Sequence, residues 1–143
     1  MADVNDMMEA YAEDAVDYAK QLRKSLDYSE ESIRQVEEIC TMLYDAIPKS
    51  FLGKLIKKSP SEETITQMSK MLGGYIGEVM KKHYGGNWDI EDFMNQGNTI
   101  LINIGELKTF PVGKVYKRLK NGAEDNVYRY YQVMTKELSK STS

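Results

Sequence analysis

The chain has few of the residues that build most catalytic and metal sites. It contains one cysteine, Cys40, and one histidine, His83, in 143 residues. A single cysteine cannot form a disulfide within the chain. No further candidate ligand lies at a spacing typical of metal sites from either Cys40 or His83. Motifs of zinc proteases, serine hydrolases, phosphate loops and calcium loops are absent as well. The sequence therefore predicts no catalytic residue, no metal and no cofactor, and we expect a protein that is not an enzyme.

Long apolar runs are also absent. The longest, Thr99 to Ile104, is far shorter than the roughly twenty residues that a membrane helix needs. The first residues are acidic, whereas a secretory signal would be basic and then apolar. We therefore expect a cytoplasmic protein with no membrane contact. Its length predicts a single domain over residues 1–143, with a first helix (1–26) that is peripheral in one interpretation and a frayed tail (139–143).

Charge is distributed unevenly along the chain. Met1 to Pro48 holds twelve acidic and four basic residues, a net charge of −8, whereas Lys49 to Ser143 holds ten and fifteen, a net charge of +5. In one interpretation the acidic helices fold against the basic remainder, and in the other an acidic face binds a basic partner. Lys114, Lys117, Arg118 and Lys120 cluster beside Tyr116, but the chain is acidic overall and lacks nucleic-acid-binding motifs, so no nucleic-acid partner is expected.

Hydrophobic periodicity predicts two helices before the middle of the chain. The first spans Val4 to Leu26, and its small apolar stripe predicts close packing on a neighbouring helix. A homodimer through that stripe is the alternative. The second begins after a cap formed by Asp27 with Glu30 or by Ser29 alone, and ends near Pro48. A short turn between them predicts an antiparallel helical hairpin, in which Cys40 is a small buried residue.

The stretch from Ser59 to Ile90 predicts a long central helix with a specified start and stop. Ser59 and Pro60 suit the first turn, and the Gly85-Gly86 pair suits the end. Apolar residues recur at helical spacing between them: Ile65, Met68, Leu72, Tyr75, Val79 and His83. The interior glycines Gly73, Gly74 and Gly77 cost roughly 1 kcal/mol each in helix propensity. Their presence predicts either a close crossing with another element, which we favour, or the floor of a ligand pocket.

A small antiparallel sheet and two further helices are predicted after the central helix. The strands are Trp88 to Phe93, Thr99 to Ile104 and Leu107 to Phe110, with a turn at residues 95–98. A basic amphipathic connector, residues 49–58, is predicted to pack its apolar side on the core. The last helices are predicted to start at Pro111 and Asp125, with the second ending at Leu138. The fold class is therefore α+β.

Glu78 is the charged residue that most needs a partner. It flanks the glycine face, where close packing would remove water from its carboxylate. We expect Arg118 to pair with it and to tie the central helix to the helix that starts at Pro111. If the glycine face instead forms a pocket, Tyr75, Glu78, Trp88 and Arg118 are expected to line it.

Three blocks of the sequence resemble an uncharacterised family of small bacterial domains, in matching order. They read L-D-Y-S-E-E-S-I, M-L-G-G-Y-I-G-E-V-M-K-K-H-Y-G-G-N-W and F-P-V-G-K-V-Y-K-R-L-K-N-G-A-E-D-N-V. The resemblance implies a bacterial origin and an α+β fold, but no catalytic residues. Similar small acidic proteins occur as immunity proteins beside toxins, which is an analogy.

The sequence therefore leaves two alternative functions open. The first is a protein-binding module, such as an immunity or regulatory protein, that binds another protein, for instance a toxin. Its acidic helical hairpin or the loop from Asp89 to Asn98, with the acids Asp89, Glu91 and Asp92, would bind that partner. The alternative is a small-molecule-binding or enzymatic domain with a pocket at the Gly73/Gly77 face.

Overall fold

Five helices and one three-stranded sheet form the part of the chain that this computed structural model describes, residues 3–46, 62–92 and 97–141. The helices are α1 (Val4–Gln21), α2 (Ile33–Ala46), α3 (Glu62–Tyr84), α4 (Pro111–Asn121) and α5 (Val127–Ser141). The strands are β1 (Asn87–Asp92), β2 (Asn98–Ile104) and β3 (Leu107–Thr109). Single 3-10 turns, Glu30–Ser32 and Ala123–Asp125, precede α2 and α5. The predicted α+β fold is confirmed, with its N-terminal hairpin, long central helix, antiparallel sheet and two C-terminal helices.

The first helix begins where the sequence predicted but ends earlier. Asp3 caps it in a reciprocal capping box with Asp6. It ends at Gln21 rather than at the predicted Leu26, because Arg23 adopts a left-handed conformation with φ 60°. Leu26 still reaches the core, from the connection rather than from the helix, and is 4% exposed.

The cap of the second helix is Ser29, one of the two predicted alternatives. Its hydroxyl accepts a hydrogen bond of 3.1 Å from the Ser32 amide. Asp27 accepts hydrogen bonds from Ser29 itself, at 3.1 Å from the amide and 2.6 Å from the hydroxyl, so it supports the cap. The predicted end at Pro48 lies outside the described residues.

The central helix α3 is buried on almost all sides over residues 71–80. Helix α1 packs along one side and α4 along another, while α2 packs on α4 and α5. The predicted stripe is confirmed except at Met68, which is half-buried, and at His83, which is exposed. Gly85 and Gly86 end the helix with positive φ, as predicted. The predicted start at Ser59 and the connector 49–58 lie outside the described residues.

The sheet matches its predicted strands to within one residue at each end. Its order is β1-β2-β3, both pairs are antiparallel, and Trp88 lies opposite Ile102. Residues 95 and 96 of the predicted turn at residues 95–98 lie outside the described residues, and Asn98 is already the first residue of β2. Helix α4 starts at Pro111 as predicted, whereas α5 starts at Val127 and continues to Ser141, into the tail predicted to fray. No helix in the described ranges is long and apolar enough to cross a membrane.

Candidate functional site

The three glycines of α3 each contact a different element. A Cβ atom placed on Gly73 would lie 2.5 Å from the backbone Cα of Val112, at the start of α4. One on Gly74 would lie 3.2 Å from Met8 of α1, and one on Gly77 would lie 2.1 Å from the indole of Trp88. Real Cβ atoms do not approach that closely at the first and third positions. Protein atoms therefore fill the space in which the pocket alternative was predicted, and the close crossing is confirmed.

Glu78 has a partner, but it is not Arg118. Its Oε2 accepts a hydrogen bond of 2.7 Å from the indole Nε1 of Trp88. Lys81 lies one turn further along α3, with 3.9 Å between its Nζ and Oε2. Asn5 of α1 accepts hydrogen bonds from the amide of Trp88 and from Lys81, at 3.0 and 3.3 Å. This network joins α1, α3 and β1, and the predicted bridge between Glu78 and Arg118 is wrong.

Arg118 instead lies in a buried clamp with Glu37 of α2. It is 2% exposed, and its Nε and Nη2 donate to the carboxylate of Glu37 at distances from 2.9 to 3.1 Å. The same carboxylate accepts from the amide of Val127, at 3.0 Å, and Nη2 also donates to the Thr41 hydroxyl, at 2.7 Å. The clamp joins α2, α4 and the start of α5, so the role of Arg118 is structural.

Tyr75, the other residue predicted to line a pocket, is fully buried. Its hydroxyl accepts a hydrogen bond of 2.7 Å from the amide of Tyr28 and pairs with the hydroxyl of Ser32 at 2.5 Å. It therefore holds the connection between α1 and α2 against α3. Cys40 is also fully buried, and burial raises the pKa of its thiol to about 12. A protonated buried thiol is a poor nucleophile, as the sequence predicted.

An acidic face covers the outer side of α1. At about 100° per residue, four of its five carboxylates fall on the side opposite the buried stripe of Met8, Ala12, Ala15 and Ala19, and that of Glu9 lies on the flank. We call this set the α1 acidic face: Asp6, Glu9, Glu13, Asp14 and Asp17. All five are exposed, and in the described part of the chain none of them takes part in an ion pair.

The three acids predicted to bind a partner lie on β1, and each has a local contact. Asp89 accepts a hydrogen bond of 2.8 Å from the amide of Ile90, and Asp92 accepts one of 3.0 Å from the amide of Gly97. Glu91 pairs with Lys108 of β3 at 2.7 and 3.0 Å. Since β1 is an edge strand, these charges also discourage pairing with another chain.

A cavity of about 580 Å³ opens between the sheet, α4 and α5. Its lining combines lysines with apolar and hydroxyl side chains: Thr99, Lys108, Thr109, Phe110, Gly113, Lys114, Lys117, Tyr130 and Met134. The hydroxyls of Thr109 and Tyr130 are hydrogen-bonded to each other. Burial raises the pKa of Tyr130 to about 12. This cavity is distinct from the glycine face, and no pattern in the sequence predicted it.

No protein-family model, curated protein or solved structure matches this chain. The resemblance to a bacterial domain family therefore stays a prediction. Within the described residues, no group of three or more histidine, cysteine, aspartate or glutamate side chains could hold a metal ion.

Some of these features carried a signal in the sequence and some did not. Arg118 follows Val115 by three residues, so it falls on the inward side of α4, which was a signal of burial. The acidic face was visible as four acids opposite an alanine stripe and a fifth on its flank. The cavity was not visible, because residues from β2, β3, α4 and α5 meet there only in the folded chain.

Proposed function

We propose that the protein is a non-enzymatic module that binds a basic protein through the α1 acidic face. One observation carries the proposal: the five carboxylates of the α1 acidic face are exposed and take part in no ion pair with the described residues. Seven ion pairs occur in the described part of the chain, and only Glu37–Arg118 joins the acidic N-terminal part to the basic remainder. Helix α1 packs on α3 through its apolar stripe, so the acids on its outer side remain available to a partner.

The spacing of these acids has a cost that folding alone does not explain. Glu9, Glu13 and Asp17 follow one another at intervals of four residues. Like charges at that spacing destabilise a helix by about 0.2–0.5 kcal/mol per pair. A basic partner would turn this repulsion into attraction and would be steered to the face by its field. An acidic face also disfavours nucleic acid as the partner.

Helix α1 and the edge strand β1 adjoin each other through the contact between Asn5 and Trp88. The acidic start of α1 therefore lies near the acids of β1, and we propose that Asp89 and Asp92 extend the binding surface. The homodimer alternative has less support, because α3 already covers the stripe that would form it. By analogy with the small acidic proteins that occur beside toxins, we propose an immunity or regulatory protein of the bacterial cytoplasm as the specific role, with a toxin as the partner.

Affinity capture with a matched pair of charge variants tests the proposal. The tagged protein is incubated with lysate of its source organism at about 50 and 200 mM salt, and retained proteins are identified by mass spectrometry. The test variant is Glu9→Lys/Glu13→Lys/Asp17→Lys. The control is Glu63→Lys/Glu106→Lys/Glu124→Lys, which reverses the charge of three exposed acids outside α1. It therefore changes the net charge by the same amount as the test variant.

We expect a basic protein in stoichiometric amount, retained less at the higher salt because screening shortens the range of the attraction. The test variant should retain at least tenfold less of this protein, and the control should retain as much as the original chain. Equal retention by both variants would contradict the proposal, as would a retained protein whose binding does not depend on salt.

A further inference from the structure

The cavity between the sheet, α4 and α5 combines an apolar floor with a positively charged rim. Phe110, Tyr130 and Met134 supply the floor, and the hydroxyl of Tyr130 is already hydrogen-bonded to Thr109. A ligand therefore meets mainly ring and thioether surface there, where burial of apolar area drives binding.

The three lysines of the rim do not contribute equally. Lys108 is paired with Glu91 at 2.7 Å, and Lys114 is paired with Asp125 at 2.9 Å. Lys117 is exposed and takes part in no ion pair with the described residues. The rim therefore carries about one uncompensated positive charge, which complements a ligand with a single negative charge.

The first turn of α4 adds to this potential. Its N-cap, Phe110, offers no side-chain acceptor, and Pro111 has no amide hydrogen. Gly113 lines the cavity, and a Cβ placed on it would have only the Cβ of Phe110 near it, at 3.8 Å. The amide end of a helix favours an anion, and the missing side chain of Gly113 leaves that end open to the cavity.

From the cavity and its charges, we propose that it binds a small amphipathic monoanion, an aromatic or aliphatic group that carries one carboxylate. The apolar part would lie on Phe110, Tyr130 and Met134, and the carboxylate would lie beside Lys117. A volume of about 580 Å³ falls within the range of small-molecule sites, which is roughly 300–1,000 Å³. This site does not depend on the proposed protein-binding function, since the α1 acidic face lies on another element.

The probe for the test is 1-naphthoate, with the uncharged 1-naphthalenemethanol as its control. Each is titrated into the ¹⁵N-labelled full chain, and amide shifts are followed. We expect 1-naphthoate to move the amides of Thr109, Gly113 and Lys117 in a saturable way and to bind at least fivefold more tightly than the alcohol. No saturable shift at these amides up to millimolar probe, or equal affinity for the alcohol, would overturn the proposal.

Two pairs of variants sharpen the result. Lys117→Gln should weaken binding of 1-naphthoate at least threefold, whereas Lys136→Gln, at an exposed lysine of α5 outside the cavity lining, should not. Gly113→Phe should fill the cavity and abolish binding, whereas Gly113→Ala should retain it. If Gly113→Phe does not fold, the comparison of Lys117→Gln with Lys136→Gln still tests the proposal, because unchanged affinity in Lys117→Gln would overturn it.

Discussion

Glycine in the middle of a helix was the clearest residue-scale signal in this sequence. Three such residues in five positions predicted that something approaches the backbone of α3, and the structure shows that three different elements do so. The sequence could not indicate which elements these are, because the identity of a neighbour depends on how the whole chain packs. The same limit explains the error at Glu78, since its need for a partner was predictable but the indole of Trp88 was not.

Gly73→Ala should reduce the free energy of unfolding, although alanine is the better helix former. A Cβ would lie 2.5 and 2.7 Å from the backbone Cα and N of Val112, which cannot rotate away as a side chain can. Overpacking of this kind typically costs about 1–3 kcal/mol. The measurement is urea unfolding, followed by circular dichroism.

The matched control for that experiment is Gly113→Ala. At this exposed position the new Cβ would make only an ordinary contact, 3.8 Å from Phe110. A gain of up to about 1 kcal/mol is therefore expected from helix propensity. If both substitutions stabilise the protein, the close approach of α4 to Gly73 is contradicted.

The helices are held together by two polar networks as well as by the core. Asn5, Glu78 and Trp88 join α1, α3 and β1, while Glu37 and Arg118 join α2, α4 and α5. Sequence periodicity located these elements because each buries a regular apolar stripe. It could not pair charged residues across elements that are about eighty positions apart.

Glu37→Gln should be strongly destabilising, because it leaves the buried guanidinium of Arg118 without its counter-charge. Removing one partner of a buried ion pair typically costs about 3–5 kcal/mol. Glu38→Gln, at the next position, removes an exposed pair with Lys24 and should cost less than about 1 kcal/mol. Urea unfolding of both variants measures the difference. Equal stability of the two variants would show that the clamp does not hold these helices together.

At the scale of the whole molecule, the sequence predicted the elements well and the surfaces less well. Strand β2 was located within one residue because Gly97 and Gly105 bound a run rich in β-branched residues. The asymmetric charge was visible too, but not its arrangement. The structure shows that five of the twelve N-terminal acids lie exposed on α1 and form no ion pair with the described residues, and there the proposed partner would bind.

The stability of the whole fold should fall in alkaline solution because of its buried tyrosines. Burial raises the pKa values of Tyr28 and Tyr130 to about 12 and also raises that of Tyr131. In the unfolded chain these phenols ionise near pH 10, so unfolding releases protons above that pH. Their contribution is therefore fully present below pH 10 and is lost as the pH rises towards 12.

Urea unfolding at pH 8, 9.5, 10.5 and 11.5 measures this loss, and tyrosinate absorbance at 295 nm follows the ionisation directly. In the native protein, we expect some of the tyrosines to ionise only above pH 11 or upon alkaline unfolding. In the urea-unfolded protein, all ten tyrosines should ionise near pH 10. Tyr130→Phe should reduce the pH dependence, because one raised pKa is removed. Identical titration curves for the native and urea-unfolded protein would contradict the burial of these hydroxyls. They would also argue against the packing of α5 on the sheet, because the hydrogen bond between Thr109 and Tyr130 links these two elements.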